Sequence, residues 1–554
     1  MNCSYCGQEN QPEVRFCSRC GAQFQANPAP QAQPPYIPAD GSDPGGAIGG
    51  GPGKLKSLPL KKILMIAIPV IVVIIAAIII IPLVTGGSGN AMRRDHIQLF
   101  FEGDDIIIVS GNNNARFTID GEFGGIQRSL DGSKAIVMTD YEFPDGGTIW
   151  FVTTSGAFHV ADDVVACILA DSGNGIVYAT EYDVEESVAS LYLYDTSSKK
   201  STRVTNDAYF SRFNKQGVCI SPNGKSVSFI SDYDEEDGDY YGYMSIDGKA
   251  PERIGQNTFA LALSDGGRYL YYVKESDNGN YSLHIRSGRN DYKLISEVTG
   301  GTLLLSLDYS QAVFTDGDRS FITRNGNEKE RISGSYIRSF VLPRGTQIGG
   351  NHDNVTVYGV QSFLNNVIRN EDGLAYLDNA LETNRISSTS NYSNYAFISD
   401  DGRTLLYLNN SGHLSAIDPT KPGAERREIG RNVESYTASN DANVIYFVND
   451  DDELFYVKGN SVPVKIADDV YASSLRMPFY SNMAFFLVDY SSRDSSGELY
   501  YTNNGARRAK VERGDDITSI WVTPANVFFE NMDDEIFRSN GNEVFSRFAE
   551  DVTR

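Results

Sequence analysis

The segment SPNGKSVSFIS, residues 221–231, decides the fold, because variants of it recur along the chain. Each variant joins a turn rich in Asp, Asn and Gly to a strand of apolar or aromatic residues, and a second strand and turn follow. Successive copies start 40–51 residues apart, and a period of this size indicates a propeller or a solenoid. Clear copies begin at Ser129, Ser221, Ser264, Ser399 and Ser439, and weaker copies begin at Ala170, Ser306, Ser481 and Thr523.

One interval, from Ser306 to Ser399, is 93 residues long, and we expect a degenerate copy in it near TQIGGNHDNVTVYGV, residues 346–360. The resulting eight to ten repeat units exceed the usual maximum of about eight blades in one propeller ring. The sequence therefore does not decide whether the units form one large ring or two rings. If there are two rings, the division is expected near residues 333–390.

A single meander cannot cover its own apolar faces, so neighbouring units must stack, and closing the stack into a ring protects the sheet edges. The sequence thus predicts an all-β protein whose residues 96–554 form a β-propeller. Residues 97–120, which include DDIIIVSG, are expected to pair with the C-terminal unit and close the ring. Most aromatic residues at strand positions are predicted to lie in the core between units, among them Tyr271, Tyr272, Phe447 and Tyr500.

The repeated turn resembles the WD40-like repeat of TolB-type propellers and of the propeller in prolyl oligopeptidase-like peptidases, which carry Ser-Pro-Asp-Gly-Lys before an apolar strand. The resemblance implies a propeller fold and does not identify a ligand. Those peptidases place their serine hydrolase domain outside the propeller, whereas this chain ends soon after its last unit and contains no Gly-x-Ser-x-Gly. We therefore expect that their catalytic function does not carry over, and we predict no catalytic residues.

The N-terminal segment, residues 1–24, contains two Cys-x-x-Cys pairs separated by ten residues. Four thiolates at this spacing suit a tetrahedral Zn²⁺ site with no open coordination position, so one structural zinc ion is predicted. The segment resembles the short zinc-ribbon family, including its aromatic residue at Phe16; a rubredoxin-type iron centre and a redox dithiol are the alternatives. The predicted zinc ligands are Cys3, Cys6, Cys17 and Cys20.

Residues 63–84 contain no charged side chain and match the ~20 residues that a helix needs to cross a bilayer. We predict a retained transmembrane helix, because a secretory signal has a shorter apolar region and a buried soluble helix is rarely so long. Four lysines precede the segment and two arginines follow it, which predicts a cytoplasmic N-terminus. Residues 25–62 are predicted to be a disordered Pro/Gly-rich linker with a basic flank, and residues 85–95 a short stalk.

The chain has a formal net charge of −24, and residues 95–554 alone carry −28. No nucleic-acid partner is expected, because such a body repels phosphates and Arg15 and Arg19 of the ribbon are balanced by nearby glutamates. The acidic runs at 232–239 and 449–453 could suit Ca²⁺, but their spacing departs from known calcium loops, which favours exposed turns. Cys167 and Cys219 are predicted to be buried free thiols, and the histidines are isolated in sequence.

Together these features predict a single-pass membrane protein that acts in binding or scaffolding. Its external propeller would recognise a protein, a peptide or a glycan, and its zinc ribbon would dock a cytoplasmic protein. The alternative is a cell-surface lyase or hydrolase with its site in the propeller channel.

Overall fold

The computed structural model describes residues 97–553 of the chain, all within the second of two compact units, Asn90–Arg554. The residues left out of this range are 103–104, 111–115, 211–216, 235–237, 277–278, 299–302, 335, 344–345, 347, 350–354, 389–395, 422, 480, 523–526, 540–543 and 550–551. The predicted zinc ribbon, linker, transmembrane helix and stalk, residues 1–95, therefore lie outside the described residues. Within the described part, no helix combines the length and the apolarity needed to cross a membrane.

The described residues form β-strands and two single-turn 3-10 helices, Asp265–Gly267 and Ala472–Ser474. The first strands are β1 Ile97–Glu102, β2 Asp105–Ser110, β3 Arg116–Ile119, β4 Phe123–Arg128, β5 Lys134–Glu142, β6 Gly146–Thr153, β7 Gly156–Val164, β8 Ala166–Leu169, β9 Gly175–Asp183, β10 Val188–Asp195, β11 Lys200–Tyr209, β12 Cys219–Ile220, β13 Val227–Ser231, β14 Tyr241–Ser245 and β15 Glu252–Gln256. They are followed by β16 Thr258–Leu263, β17 Tyr269–Glu275, β18 Tyr281–Ser287, β19 Asn290–Ile295, β20 Leu303–Leu305, β21 Gln311–Asp316, β22 Arg319–Arg324, β23 Glu330–Arg331, β24 Ile337–Val341, β25 Ile348–Gly349, β26 Val355–Tyr358, β27 Asn366–Asn370, β28 Gly373–Leu377, β29 Thr383–Ser387 and β30 Ala396–Ile398. The last strands are β31 Leu405–Leu408, β32 Leu414–Ile417, β33 Arg427–Gly430, β34 Val433–Ala438, β35 Val444–Asn449, β36 Leu454–Lys458, β37 Val464–Ala467, β38 Met483–Ser491, β39 Ser496–Asn503, β40 Ala509–Lys510, β41 Ile517–Val522, β42 Val527–Asn531, β43 Ile536–Ser539, β44 Val544–Ala549 and β45 Val552–Thr553.

In the described part of the chain the strands form ten sheets, most of them four-stranded antiparallel meanders, as a β-propeller requires. We number the meanders as units by their order in the chain. Units 1 to 4 are β4–β7, β8–β11, β12–β15 and β16–β19; unit 5 is β20–β23, unit 6 is β24 with β27–β29, unit 7 is β30–β33, unit 8 is β34–β37, unit 9 is β38–β40 and unit 10 is β41–β44. Units 9 and 10 share one sheet through a single pair, Gly497↔Ile517. The all-β prediction is confirmed.

The repeated turn lies between the first two strands of a unit and is closed by short-range hydrogen bonds. In unit 3 the Ser221 hydroxyl donates to Asn223 Oδ1 (2.8 Å) and accepts the Ser226 amide (3.0 Å). Gly224 has φ 75°, and a Cβ there would lie 2.4 Å from the backbone nitrogen of Gly175, so glycine is required. Serines 306, 399 and 439 make the same pair of contacts in units 5, 7 and 8.

The core lies between neighbouring sheets. One cluster joins Ile168 and Val177 of unit 2 to Val227 and Phe229 of unit 3, and similar clusters join the units that follow. Because each sheet buries apolar side chains against the next, no unit covers its core alone. Tyr271, Tyr272 and Phe447 are buried as predicted, and Tyr500 is half-buried against the core of units 8 and 9.

The two ends of the described chain meet in one sheet. Strand β1 pairs antiparallel with β45, with Phe101 opposite Thr553 and Glu102 opposite Val552, while β2 and β3 extend the sheet outward. Phe101 and Glu102 of the predicted closing segment therefore pair with β45, which follows unit 10 in the chain and is not part of its sheet. Pairing with the C-terminal unit itself is not found among the described residues, and closure of the ring stays a prediction.

The long interval between repeats contains a complete unit, but VTVY in the predicted degenerate copy is not its second strand. That strand is Asn366–Asn370, and β25 and β26 instead extend the sheet of unit 5, where β26 runs parallel to β20. Strand β26 joins the sheet of unit 5 because its residues Val355 and Val357 are buried in the core of units 4 and 5. Units 5 and 6 also share a core, so their packing is continuous here, and a division near 333–390 stays a prediction.

Candidate functional site

The predicted zinc ligands Cys3, Cys6, Cys17 and Cys20 lie outside the described residues, so their arrangement stays a prediction. The other two cysteines are buried and do not form a disulfide, as predicted. Cys219 Sγ lies 2.8 Å from Ser228 Oγ, and burial raises the pKa of this thiol to about 12. Such a thiol is not a nucleophile at neutral pH.

The two acidic runs form turns whose carboxylates have protein partners. In the first run the backbone amide of Asp234 donates to the carbonyl of Asp239 at 2.8 Å, and the Asp239 carboxylate accepts the Asn257 side-chain amide at 2.7 Å. In the second run, Asn449 Oδ1 caps the turn and Glu453 pairs with Lys465 at 2.6 Å. Among the described residues, no three metal-ligating side chains come together at either run or elsewhere.

The histidines are spread over separate units. His159 contacts Asp162 at 2.9 Å in unit 1, His284 lies beside Asp291 in unit 4, and His413 contacts Glu428 at 3.1 Å in unit 7. Burial lowers the pKa of His284, although Asp291 opposes this effect. These three histidines therefore do not form a common site; His96 and His352 lie outside the described residues.

The repeated turns of consecutive units contact one another. The amide of Leu130 donates to the carbonyl of Asp171, and the amide of Asn223 donates to the carboxylate of Asp265. The Tyr309 hydroxyl donates to Asp171 Oδ2 at 2.8 Å, although 138 residues separate them in sequence. Tyr309 is fully buried and has φ 60°, the left-handed region that glycine fills in units 1 to 4 and 7, and burial raises the pKa of Asp171. These contacts tie the units together at this end.

A second recurring element lies near the end of the strand that follows the repeated turn: the second strand of units 1 to 3 and the first strand, β38, of unit 9. An acidic residue with positive φ, 53–55°, is followed by tyrosine in units 1, 2, 3 and 9. Residues other than glycine rarely adopt this left-handed backbone conformation. At three of the four places the register of the strand pairing also shifts, as it does at a β-bulge. We call these acid–tyrosine corners: Asp140–Tyr141, Glu181–Tyr182, Asp232–Tyr233 and Asp489–Tyr490.

The tyrosines of the first two corners donate to backbone carbonyls, Tyr141 at the start of unit 2 and Tyr182 at the end of its own unit. The Tyr141 hydroxyl donates to the carbonyl of Val165, and the Tyr182 hydroxyl donates to the carbonyl of Phe210, each at 3.2 Å. Aromatic contacts continue this row, because Phe143 lies 5.5 Å from the ring of Tyr182 and Tyr209 stacks on Tyr233 at 4.3 Å. Part of the row faces solvent: Tyr141 is 41% exposed and Tyr233 is 37% exposed.

Carboxylates surround this aromatic row. The segments 139–146, 180–187 and 231–239 contain three, four and six Asp or Glu residues and no Lys or Arg. Several of the described carboxylates, including Glu142, Glu185 and Glu186, are exposed. We call the described residues of these three segments the acidic rim. Its charge produces a negative potential that attracts cations, and its tyrosine faces add cation–π binding.

Sequence reasoning treated only the third of these segments as an acidic turn. The signal that it missed is the tripeptide Thr, Ser or Val, then Asp or Glu, then Tyr, which begins at Thr139, Thr180, Ser231 and Val488. The first three copies recur at the intervals of the repeated turn. The placement of their rings in a row follows only from the stacking of units 1 to 3.

Comparison with known proteins gives limited matches. The family model of the zinc-ribbon domain matches residues 2–24. The structure of TolB from Acinetobacter baumannii is similar at 16% identity over 41% of this chain and 59% of that chain, with a TM-score of 0.25. A putative TolB from Agrobacterium tumefaciens matches at 15% identity over 44% of this chain and 90% of that chain (TM-score 0.25). A structure from a study of two prolyl endopeptidases matches at 11% identity over 68% of this chain and 52% of that chain, with a TM-score of 0.29. No curated protein matches the sequence.

Proposed function

We propose that the protein is a membrane-anchored binding or scaffolding protein whose propeller captures a cationic segment of a protein or peptide at the acidic rim. The observation that carries the proposal is the acid–tyrosine corner, which is repeated in three consecutive units and exposes its tyrosine ring in units 1 and 3. Lys and Arg side chains combine a positive charge with a preference for aromatic faces, so they complement both features of the rim.

The chain itself contains such contacts. The Arg253 guanidinium lies 3.2 Å from the centre of the Tyr241 ring, and Lys199 Nζ lies 3.6 Å from the centre of the Phe158 ring. A basic partner would stack on the exposed part of the Tyr141 ring and on the face of Tyr233 that Tyr209 does not cover. Because the rim carboxylates are exposed, the attraction would weaken as salt shortens the Debye length, which is about 8 Å at physiological ionic strength.

The sequence supports the remaining parts of the proposal. Residues 63–84 would anchor the protein in the membrane with the N-terminus in the cytoplasm. Cys3, Cys6, Cys17 and Cys20 would hold one structural zinc ion, and the folded ribbon would dock a cytoplasmic protein. The body with its acidic rim would then lie outside the cytoplasm.

Peptide binding to the full chain in detergent micelles tests the rim. The probe is a fluorescent decapeptide of alternating Arg and Gly, and a Glu and Gly decapeptide is its control. We expect the triple variant Glu142→Gln, Glu185→Gln, Glu186→Gln to bind the basic peptide about tenfold more weakly, since each exposed charge contributes up to about 1 kcal/mol.

The matched variant Glu297→Gln, Glu328→Gln, Glu512→Gln removes three exposed glutamates outside the rim. It has the same net charge and should bind the basic peptide nearly as well as the unchanged protein. Equal losses in both triple variants would show that only the overall charge attracts the peptide, and the rim proposal would then fail.

Zinc content and topology are tested separately. Metal analysis of the full chain should give about one zinc per chain, and Cys3→Ser with Cys17→Ser should abolish it, because a tetrahedral site does not survive with two ligands. Protease added to intact cells should digest the body and spare the ribbon. The opposite digestion pattern would reverse the proposed orientation.

A further inference from the structure

An open, polar cleft lies between units 6 and 7, far in sequence from the acidic rim. Its volume is about 440 Å³, within the range of small-molecule sites. Strand β29 supplies Arg385 and Ile386, the turn between β31 and β32 supplies Asn410 and Ser411, and Arg426 precedes β33. The lining contains two guanidinium groups, side-chain hydroxyls and amides, and no carboxylate.

Among the described residues, neither guanidinium group of the cleft makes an ion pair or a hydrogen bond. Two other cations of unit 7 do have carboxylate partners: Arg431 pairs with Glu428 at 2.6 Å and Lys421 pairs with Asp418 at 2.8 Å. In a body that carries −28, two neighbouring arginines without a carboxylate partner leave a local positive site. Such a site favours an anion, which guanidinium groups bind through paired N–H donors.

An aromatic ring beneath the lining residues orients one of these groups. The Arg426 guanidinium lies 5.6 Å from the centre of the Tyr407 ring, and Ile386 packs against the core that contains Tyr407. Tyr407 is fully buried, and its hydroxyl has no hydrogen-bond partner in the described part of the chain. The aromatic face holds the guanidinium without neutralising its charge, so Arg426 stays available to a ligand.

We propose that this cleft binds a sugar that carries a carboxylate or a phosphate group. The arginines would bind the anionic group, while the serine hydroxyls and Asn410 would donate to and accept from the sugar hydroxyls. The volume suits a disaccharide or a sugar phosphate. The acidic body repels a long polyanion such as a nucleic acid but repels a single small anion much less.

Isothermal titration of the full chain in detergent micelles tests this site. The probes are digalacturonic acid and glucose 6-phosphate, with maltose as the neutral control and inorganic phosphate as the anion without a sugar. We expect at least one anionic sugar to bind at least tenfold more tightly than maltose and than inorganic phosphate. Equal binding of inorganic phosphate would overturn the sugar assignment, and binding of neither anionic sugar would overturn the site.

Arg385→Gln and Arg426→Gln should each weaken binding of the anionic sugar about tenfold. Arg289→Gln removes an exposed arginine from the β18–β19 turn of unit 4 and should leave binding unchanged. Arg385 makes no described contact that folding requires, so the Arg385→Gln result stands even if Arg426→Gln perturbs Tyr407. Unchanged binding in Arg385→Gln would contradict the proposal, while the triple rim variant should bind the sugar normally, which separates this site from the acidic rim.

Discussion

The two ends of a repeat unit use the same residue types differently. At the repeated turn, Asp and Asn side chains accept hydrogen bonds from a serine two residues earlier and from nearby amides, and the turns of neighbouring units touch. At the acid–tyrosine corner of unit 1, the tyrosine reaches the next unit and the surrounding carboxylates face solvent. The first end therefore stabilises the fold, and the second is available for binding. The following experiments test this contrast.

The largest effect is expected from Tyr309→Ala at the turn end. Removing a fully buried aromatic side chain that also donates to Asp171 should lower the free energy of unfolding by about 3–5 kcal/mol. Tyr233→Ala removes a corner tyrosine that is 37% exposed and should cost much less. Urea denaturation measures both values, and similar losses would contradict the proposed difference between the two ends.

Ser221→Ala should have an intermediate effect. The serine makes two hydrogen bonds within its turn, so we expect a loss of about 1–2 kcal/mol in the same denaturation experiment. Ser198→Ala, at an exposed turn, is the control and should change the unfolding free energy by less than about 0.5 kcal/mol. If the two variants unfolded alike, the serine contacts would not explain the repeated turn.

Asp171→Asn should change the pH dependence of stability. Burial raises the pKa of Asp171, so the native state holds this proton more tightly than the unfolded chain does. The resulting stabilisation is complete below the ordinary aspartate pKa of about 4 and is lost as the pH rises through the raised value. Asparagine keeps an acceptor for Tyr309 and does not ionise, so the variant should lose less stability between pH 4 and 7.

Asp195→Asn gives the opposite comparison. The Ser197 hydroxyl, followed by the Ser198 amide, lowers the pKa of Asp195, so its stabilisation is present above the ordinary pKa and is lost as the pH falls. This variant should therefore be less stable than the unchanged protein at pH 7 and equal to it in acid. Melting temperatures of the unchanged protein and both variants between pH 3 and 8 measure these opposite pH dependences. If the melting temperatures of all three proteins changed in parallel with pH, both predictions would be wrong.

The smallest effect is expected at a corner. Asp489 has φ 53°, which glycine adopts without strain, so Asp489→Gly should preserve or raise the unfolding free energy, by at most about 1 kcal/mol. Gly224→Ala, at the turn end, should instead be destabilising, because its Cβ would meet the backbone of Gly175. A loss of stability in Asp489→Gly would show that the corner depends on its carboxylate.

Sequence reasoning predicted the features that depend on short-range contacts. The turn at Ser221 is closed by residues at most five positions apart, so its pattern repeats visibly, and the strand alternation that follows it is equally local. The pairing of Phe101 and Glu102 with β45 was only partly predictable: a ring of sheets needs a closing partner, but the expected partner was the C-terminal unit and not the separate strand that follows it. The zinc and membrane predictions depend on residues 1–95 and stay predictions.

The sequence by itself determined the repeat, the turn chemistry, the class of fold and the acid–tyrosine tripeptides. Only the tertiary structure decided which distant residues meet: Tyr309 with Asp171, β26 with β20, and the two arginines of the cleft between units 6 and 7. The physical reason is that local hydrogen bonds require particular residue types at fixed short spacings, so these residues repeat visibly along the sequence. Contacts between units depend on how the sheets stack, and no sequence spacing records that arrangement.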